Sequence, residues 1–208
     1  MSVAIGVVAH WKRADMAQAL AEQVSASFVS VDDGTLGAEA NHLQVWKHLA
    51  DMGTTHCCVL EDDAVPVDGF RDQLDQAIEV APAPVVSLYL GRSRPPQWQP
   101  KIYRAIEKAD DDTCWIVGTH LLHAVGVVIP TDLVQSMTSH RTNLPIDQSI
   151  SLWARVRGHR VAYTVPSLVD HLDGPTLIQH PDGKPRPAGR VAWQVGTRNK
   201  WTDKAVNL

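Results

Sequence analysis

Val3-Ala-Ile-Gly-Val-Val-Ala9 is an unbroken apolar run, rich in β-branched residues and bounded by polar ones. That is the pattern of a strand buried on both faces of a parallel sheet. Met16, Ala19, Leu20 and Val24 then recur at helical spacing and predict a helix over 15–24. Residues 27–31 form a second predicted strand, ending in Asp32-Asp33-Gly34. Over 39–52, Leu43, Trp46, Leu49 and Ala50 share one helical face, and Gly53 stops the helix. Cys57-Cys-Val-Leu60 is a third strand and runs directly into Glu61-Asp62-Asp63. Strand, helix, strand, helix, strand predicts a doubly wound α/β sheet, mainly parallel and Rossmann-like.

Further along, residues 69–80 predict a helix ended by Pro82 and Pro84, and 85–90 a fourth strand. Pro95 to Pro100 reads as a loop, 124–129 as a strand, and Thr131-Asp132 as a helix start. Pro145 opens another helix in which Ile150, Trp153 and Val156 recur every three residues, with Gly158 placed as its cap. Residues 161–165 are strand-like. From Gly174 onward prolines and glycines become dense and periodicity fades. The expectation is one domain over 1–180 and an irregular tail over 181–208, packed on it or extending from it. No internal repeat is present.

The chain has 208 residues, 44% of them hydrophobic, enough for one compact domain with a core. No apolar run reaches the length of a membrane span. The start carries its cations after the apolar stretch, the reverse of a secretory signal, so a cytoplasmic enzyme is the expectation. Three cysteines, two of them adjacent in a buried strand, exclude a disulfide framework. The net charge of −4 is uneven: residues 141–208 hold ten Lys/Arg against five Asp/Glu. Such a segment suits an anionic acceptor, or is ordinary solvated surface.

The chemistry concentrates in Val59-Leu-Glu61-Asp62-Asp63-Ala-Val-Pro66. Three consecutive carboxylates at the end of an apolar strand repel one another unless a cation meets them. Carboxyl ends of strands are also where open α/β sheets bind ligands. A divalent ion there can bridge to a diphosphate and neutralise charge as it leaves. A plain acidic turn has the same sequence. Asp32 and Asp33, at the end of the second strand, suit hydrogen bonds to a base or ribose, or simply an Asp-Asp-Gly turn. Ala9 and His10 belong to the same edge and lie where a nucleotide would.

Gly37-Ala-Glu-Ala-Asn41-His42-Leu-Gln-Val-Trp46, followed by Gly53 and by residues 59–66, resembles GT-A glycosyltransferases. The likeness is to small LEDD-type enzymes related to lipooligosaccharide galactosyltransferases and to glycosyltransferases of actinobacterial phages. It continues through Val85-Val-Ser-Leu-Tyr-Leu90, Leu144-Pro-Ile-Asp147 and Tyr163-Thr-Val-Pro-Ser-Leu-Val-Asp-His171. The resemblance implies Mn²⁺ or Mg²⁺ on Asp63, with His171 as a second ligand. It also implies a nucleotide sugar, a UDP-sugar above all, held by Ala9, His10, Asp32, Asp33, Asn41, Glu61 and Asp62. The chain has Glu61 where the commonest form of that motif has aspartate. Asp147 is the implied catalytic base in inverting members, although an aspartate at a helix start also serves as a cap.

Arg92 and Trp98 follow the fourth strand and are candidates for acceptor binding, with solvated arginine and packed indole as the alternative. The tail holds Lys184, Arg186, Arg190, Trp193, Arg198, Lys200 and Trp201, which suits either a DNA contact or a clamp on its own domain. The implied acceptor is a hydroxyl: a hydroxylated or hydroxymethylated base in phage DNA, or a virion protein or glycan. Two other classes compete. A metal-dependent phosphohydrolase of the haloacid dehalogenase type needs an aspartate after the first strand, where this chain has Ala9-His10-Trp11. A non-catalytic sugar-nucleotide binding module is the other.

Overall fold

The computed structural model describes residues 1–140, 142–174 and 189–208. An eight-stranded sheet is its centre. The chain lays down β1 (Val3–His10), α1 (Ala14–Gln23), β2 (Phe28–Asp32), α2 (Ala38–Ala50), β3 (His56–Glu61), β4 (Ala64–Pro66), α3 (Phe70–Glu79) and β5 (Val85–Ser87). Then come α4 (Gln99–Lys108), β6 (Trp115–Gly118), β7 (Gly126–Pro130), α5 (Thr131–Thr138), α6 (Ile146–Val156), β8 (Val161–Thr164), β9 (Val169–His171) and β10 (Ala205–Asn207). The strand order is β10-β6-β8-β5-β7-β3-β1-β2. β1, β2, β3, β5 and β8 run one way, and β7, β6 and β10 are reversed. The molecule is therefore an α/β domain with a mainly parallel, Rossmann-like sheet.

Alternation along β1 divides the core. Val3, Ile5, Val7 and Ala9 pack with α1 and α3 on one face, while Ala4 and Val8 meet α2 on the other. Gly6 permits that second contact, because a Cβ there would lie 2.5 Å from Val45 of α2. The helix thus approaches the strand too closely for any side chain.

Two expectations need correcting. Residues 95–100 were expected as loop, yet α4 starts at Gln99. Pro100 sits in its first turn, where no amide is needed, and Ile102 and Ala105 are buried. The late segment is not wholly irregular either: Ala205–Asn207 pairs in parallel with β6. Trp201 is buried and donates from Nε1 to Gln73 Oε1 at 2.9 Å. Residues 189–208 therefore pack on the domain. The 180/181 boundary, with Lys184 and Arg186, lies outside the described residues.

A two-stranded antiparallel ribbon stands apart from the main sheet. β4 pairs with β9 in the register Ala64↔His171, Val65↔Asp170, Pro66↔Val169. It carries His171 to the residue that follows Asp63.

Candidate active site

β1, β2 and β3 end at one edge with His10, Asp32 and Glu61. β7 is reversed, so the turn before it, with His123, reaches the same edge; Glu61 N donates to Val125 O there. The acidic run is thereby surrounded by histidines and by one arginine from the turn after β1.

Each carboxylate has a different environment. Glu61 Oε1 lies 3.3 Å from Nε2 of buried His42. Burial opposes its ionisation, but that imidazole, with His171 and His123 nearby, holds its carboxyl below the usual range. Asp62 accepts from the His10 amide at 2.9 Å and from Arg13 Nη1 at 2.9 Å. Asp63 accepts from the same Nη1 at 2.6 Å through Oδ2, which also lies 3.4 Å from His171 Nε2. Burial and the charge of Glu61 push the Asp63 carboxyl up, against His171 and Arg13.

Asp63 Oδ1 is buried without a hydrogen-bond partner, as are His171 Nδ1 and His123 Nε2. The Asp63 and His171 side chains are only 11% and 10% exposed, so bulk water does not satisfy these atoms. His123 packs edge-on to Tyr89, with centroids 5.0 Å apart, and burial pushes its imidazole down to about 4, so it is neutral at physiological pH.

Asp147 sits in the first turn of α6 and is half-buried. Its Oδ1 accepts from the Gln148 amide at 2.8 Å. Burial, reinforced by the charge of Glu61, raises its carboxyl to about 6 despite that hydrogen bond. The Glu61 and His42 fields both reach it, which ties α6 to the acidic edge.

The remaining candidates fall into two groups. Asp32 is buried, and its oxygens accept from the amides of Gly34, Leu36 and Gly37 at 2.9–3.0 Å. It folds the loop that follows β2 at this edge. Asp33 does the same locally for Thr35. Asn41, 1% exposed, accepts from Ser30 Oγ at 2.5 Å and donates to Ala9 O and Ser30 O, joining β1, β2 and α2. Asn41→Ala leaves those buried groups unpaired, and urea denaturation is expected to show a loss of about 2–3 kcal/mol; a change below about 0.5 kcal/mol would refute the stitching role.

Arg92 is exposed, with its amide donating to Val191 O. Trp98 packs on His120 at 4.7 Å, and Lys101 Nζ lies 4.8 Å over its ring, so the indole is already covered. Neither is drawn into the carboxylate–histidine cluster by these contacts.

The cations of the late segment are also engaged. Arg198 donates to the carbonyls of Val165, Asp111 and Thr113; Lys204 pairs with Asp110 at 2.6 Å; Arg190 lies 3.5 Å from Asp173. Two of the late cations are thus matched by carboxylates, and Arg198 is spent on backbone carbonyls.

Arg13, His42 and His123 were not singled out in the sequence reading. Each lacks a motif of its own: Arg13 is one of two adjacent cations after the first strand, and His42 lies inside an amphipathic helix. The pattern that could have flagged His42 is a histidine on the buried face of α2, where an imidazole requires a partner.

No family model matches this chain, and neither does any curated protein. Among solved structures, A197 from STIV aligns over 97% of this chain and 98% of its own, at 12% identity and TM-score 0.48. A putative glucose-1-phosphate thymidylyltransferase from Bacillus anthracis, in complex with a sucrose, aligns over 78% and 86%, at 10% identity and TM-score 0.45. A glycosyltransferase involved in the glycosylation of the major capsid of PBCV-1 aligns over 68% and 69%, at 9% identity and TM-score 0.32. Structural neighbours of this chain thus include a glycosyltransferase and a sugar nucleotidyltransferase, at identities and scores that assign it to neither family.

Proposed function

We propose that the protein transfers a sugar from a nucleotide-sugar donor, a UDP-sugar above all, to a hydroxyl acceptor, with a divalent cation held by Asp63 and His171. The observation that carries this reading is the buried, unpartnered Oδ1 of Asp63 beside His171, at the carboxyl edge of the parallel strands. Among the described residues no group of three His, Cys, Asp or Glu side chains forms a complete metal cage. Two donors still suit Mn²⁺ or Mg²⁺ arriving with a diphosphate, since Mg²⁺ in particular takes one or two carboxylates and completes its shell with phosphate and water. When bound, the cation would neutralise charge developing on the departing diphosphate.

The chain's own residues supply the rest. The loop folded by Asp32, with Ala9 and His10 beside it, forms the edge for the nucleoside. Glu61, steadied by His42, ends β3 at that edge, and its charge is felt by Asp147. Asp147 accepts the proton of the acceptor hydroxyl as that oxygen attacks the anomeric carbon. A carboxyl raised to about 6 is a stronger base than an ordinary aspartate and is still ionised at neutral pH.

For the acceptor, Arg190, Arg198 and Lys204 are engaged within the molecule, and two hydroxyl sources suit the reading: a hydroxylated or hydroxymethylated base in DNA, and a protein or glycan. No helix of the described residues is long and apolar enough to cross a membrane.

Incubation with Mn²⁺ and a panel of nucleotide sugars tests the reading. One donor is expected to raise the melting temperature and to be slowly hydrolysed, both only with metal. At about 100-fold excess over Kd such a ligand stabilises by about 2.7 kcal/mol. A panel with no stabilising member would reject the proposal. With active donor in hand, transfer that weakens steeply with salt identifies DNA, and salt-insensitive transfer a protein or glycan.

A further inference from the structure

Among the described residues Arg13 is the one cation that touches both Asp62 and Asp63, with Nη1 at 2.9 and 2.6 Å. The three side chains are 9–14% exposed, so the contact is shielded from solvent. Oδ2 of Asp63, the oxygen that faces His171 Nε2, is the one Arg13 occupies, whereas Oδ1 is unpartnered. A divalent ion reaching Asp63 through Oδ1 shares the carboxylate's charge with the guanidinium, and one gripped by Asp63 and His171 together meets it directly at Oδ2. Two positive charges cannot share that oxygen without strong repulsion.

Arg13 also stands at a suitable place to move to a phosphate. It ends the 3₁₀ turn Trp11–Arg13 that joins the carboxyl end of β1 to α1, a turn whose start is capped by His10 Nδ1 accepting from the Lys12 amide. That is the carboxyl end of a parallel strand, where open α/β sheets bind ligands, and a guanidinium matches phosphate as well as carboxylate.

We propose that Arg13 is the resting counter-ion of the metal site and becomes a diphosphate ligand when metal and donor enter together. It rests on the glycosyltransferase reading only for the identity of the cation and the diphosphate. In the donor-free protein the guanidinium neutralises Asp62 and Asp63 and keeps metal affinity low. Metal entry frees it from Asp63, and the incoming diphosphate gives it a new partner. Metal and nucleotide thus bind synergistically, each weakly alone.

Mn²⁺ titration by electron paramagnetic resonance tests this, at pH 8, with and without UDP, on wild type, Arg13→Gln and Arg13→Lys. Without UDP, Arg13→Gln is expected to bind Mn²⁺ about tenfold more tightly than wild type, since the competing charge is gone. With saturating Mn²⁺, the same variant is expected to bind UDP about tenfold more weakly. Arg13→Lys, which keeps the charge but not the fork, should lie between wild type and Arg13→Gln in both measurements, and it serves as the folded control. Mn²⁺ affinity in Arg13→Gln equal to or below wild type, while wild type binds Mn²⁺ with UDP, overturns the exchange and leaves the metal reading standing. Absence of Mn²⁺ binding by wild type even with UDP overturns both.

Discussion

Asp63→Asn is expected to reduce metal-dependent donor turnover by about a thousandfold or more, the scale of losing a Lewis acid from a leaving group. Asparagine preserves the shape of the side chain, and its Oδ1 can still accept from Arg13. The charge is lost, and with it the attraction for a divalent ion. The backbone around it is held independently, by the β4–β9 ribbon and by the Leu172 amide donating to Asp63 O at 2.8 Å. The variant should therefore melt like a folded protein while losing UDP-dependent Mn²⁺ binding. Initial rates of UDP release, with and without EDTA, measure it. A rate within about threefold of wild type would falsify the metal role of Asp63.

Asp147→Asn should lower kcat by about 10²–10⁴-fold and leave donor affinity nearly unchanged, because a general base acts on the acceptor and contributes in the transition state. The wild-type pH profile supplies an independent readout. The base works ionised, so kcat should fall about tenfold per pH unit below about 6. Stability moves the other way. The folded carboxyl holds its proton more tightly than the unfolded one, so its stabilising contribution is complete below the ordinary aspartate range. That contribution is lost as pH rises through about 6. Asparagine removes the loss, and the variant should melt above wild type at pH 8 and equal it at pH 3. Near-normal turnover would reduce Asp147 to a first-turn carboxylate that favours the helix start and accepts from the Gln148 amide; Pro145, not Asp147, is the N-cap of α6.

The site was legible in the sequence to an uneven degree. Glu61-Asp62-Asp63 stands out because three like charges at a strand end repel one another unless a cation meets them. Asp147 stands out by its place at a helix start. What each oxygen does is not written locally. Asp32 and Asn41, expected beside the donor, have their polar atoms engaged by backbone amides, carbonyls and Ser30, so each has a complete structural role in the loop and strands that shape this edge of the sheet. Arg13 is an ordinary surface-type residue until β1 and β3 pair and set it against two aspartates.

The sequence by itself determined the α/β class, the first three strands and the helices between them. Apolar runs and 3.6-residue periodicity are local signals that burial converts directly into structure. It also determined where negative charge would collect. Tertiary structure decided the rest: the reversal of β7 that brings His123 to the edge, the ribbon that seats His171 beside Asp63, and the addition of β10 to the sheet. β10 is three residues long with two of them exposed, so it has no apolar run to announce it. The reason is general to such sites. A strand's own residues dictate that it is buried, but the partner of an acidic oxygen is set by which distant strands lie next to one another, and pairing is a property of the whole sheet.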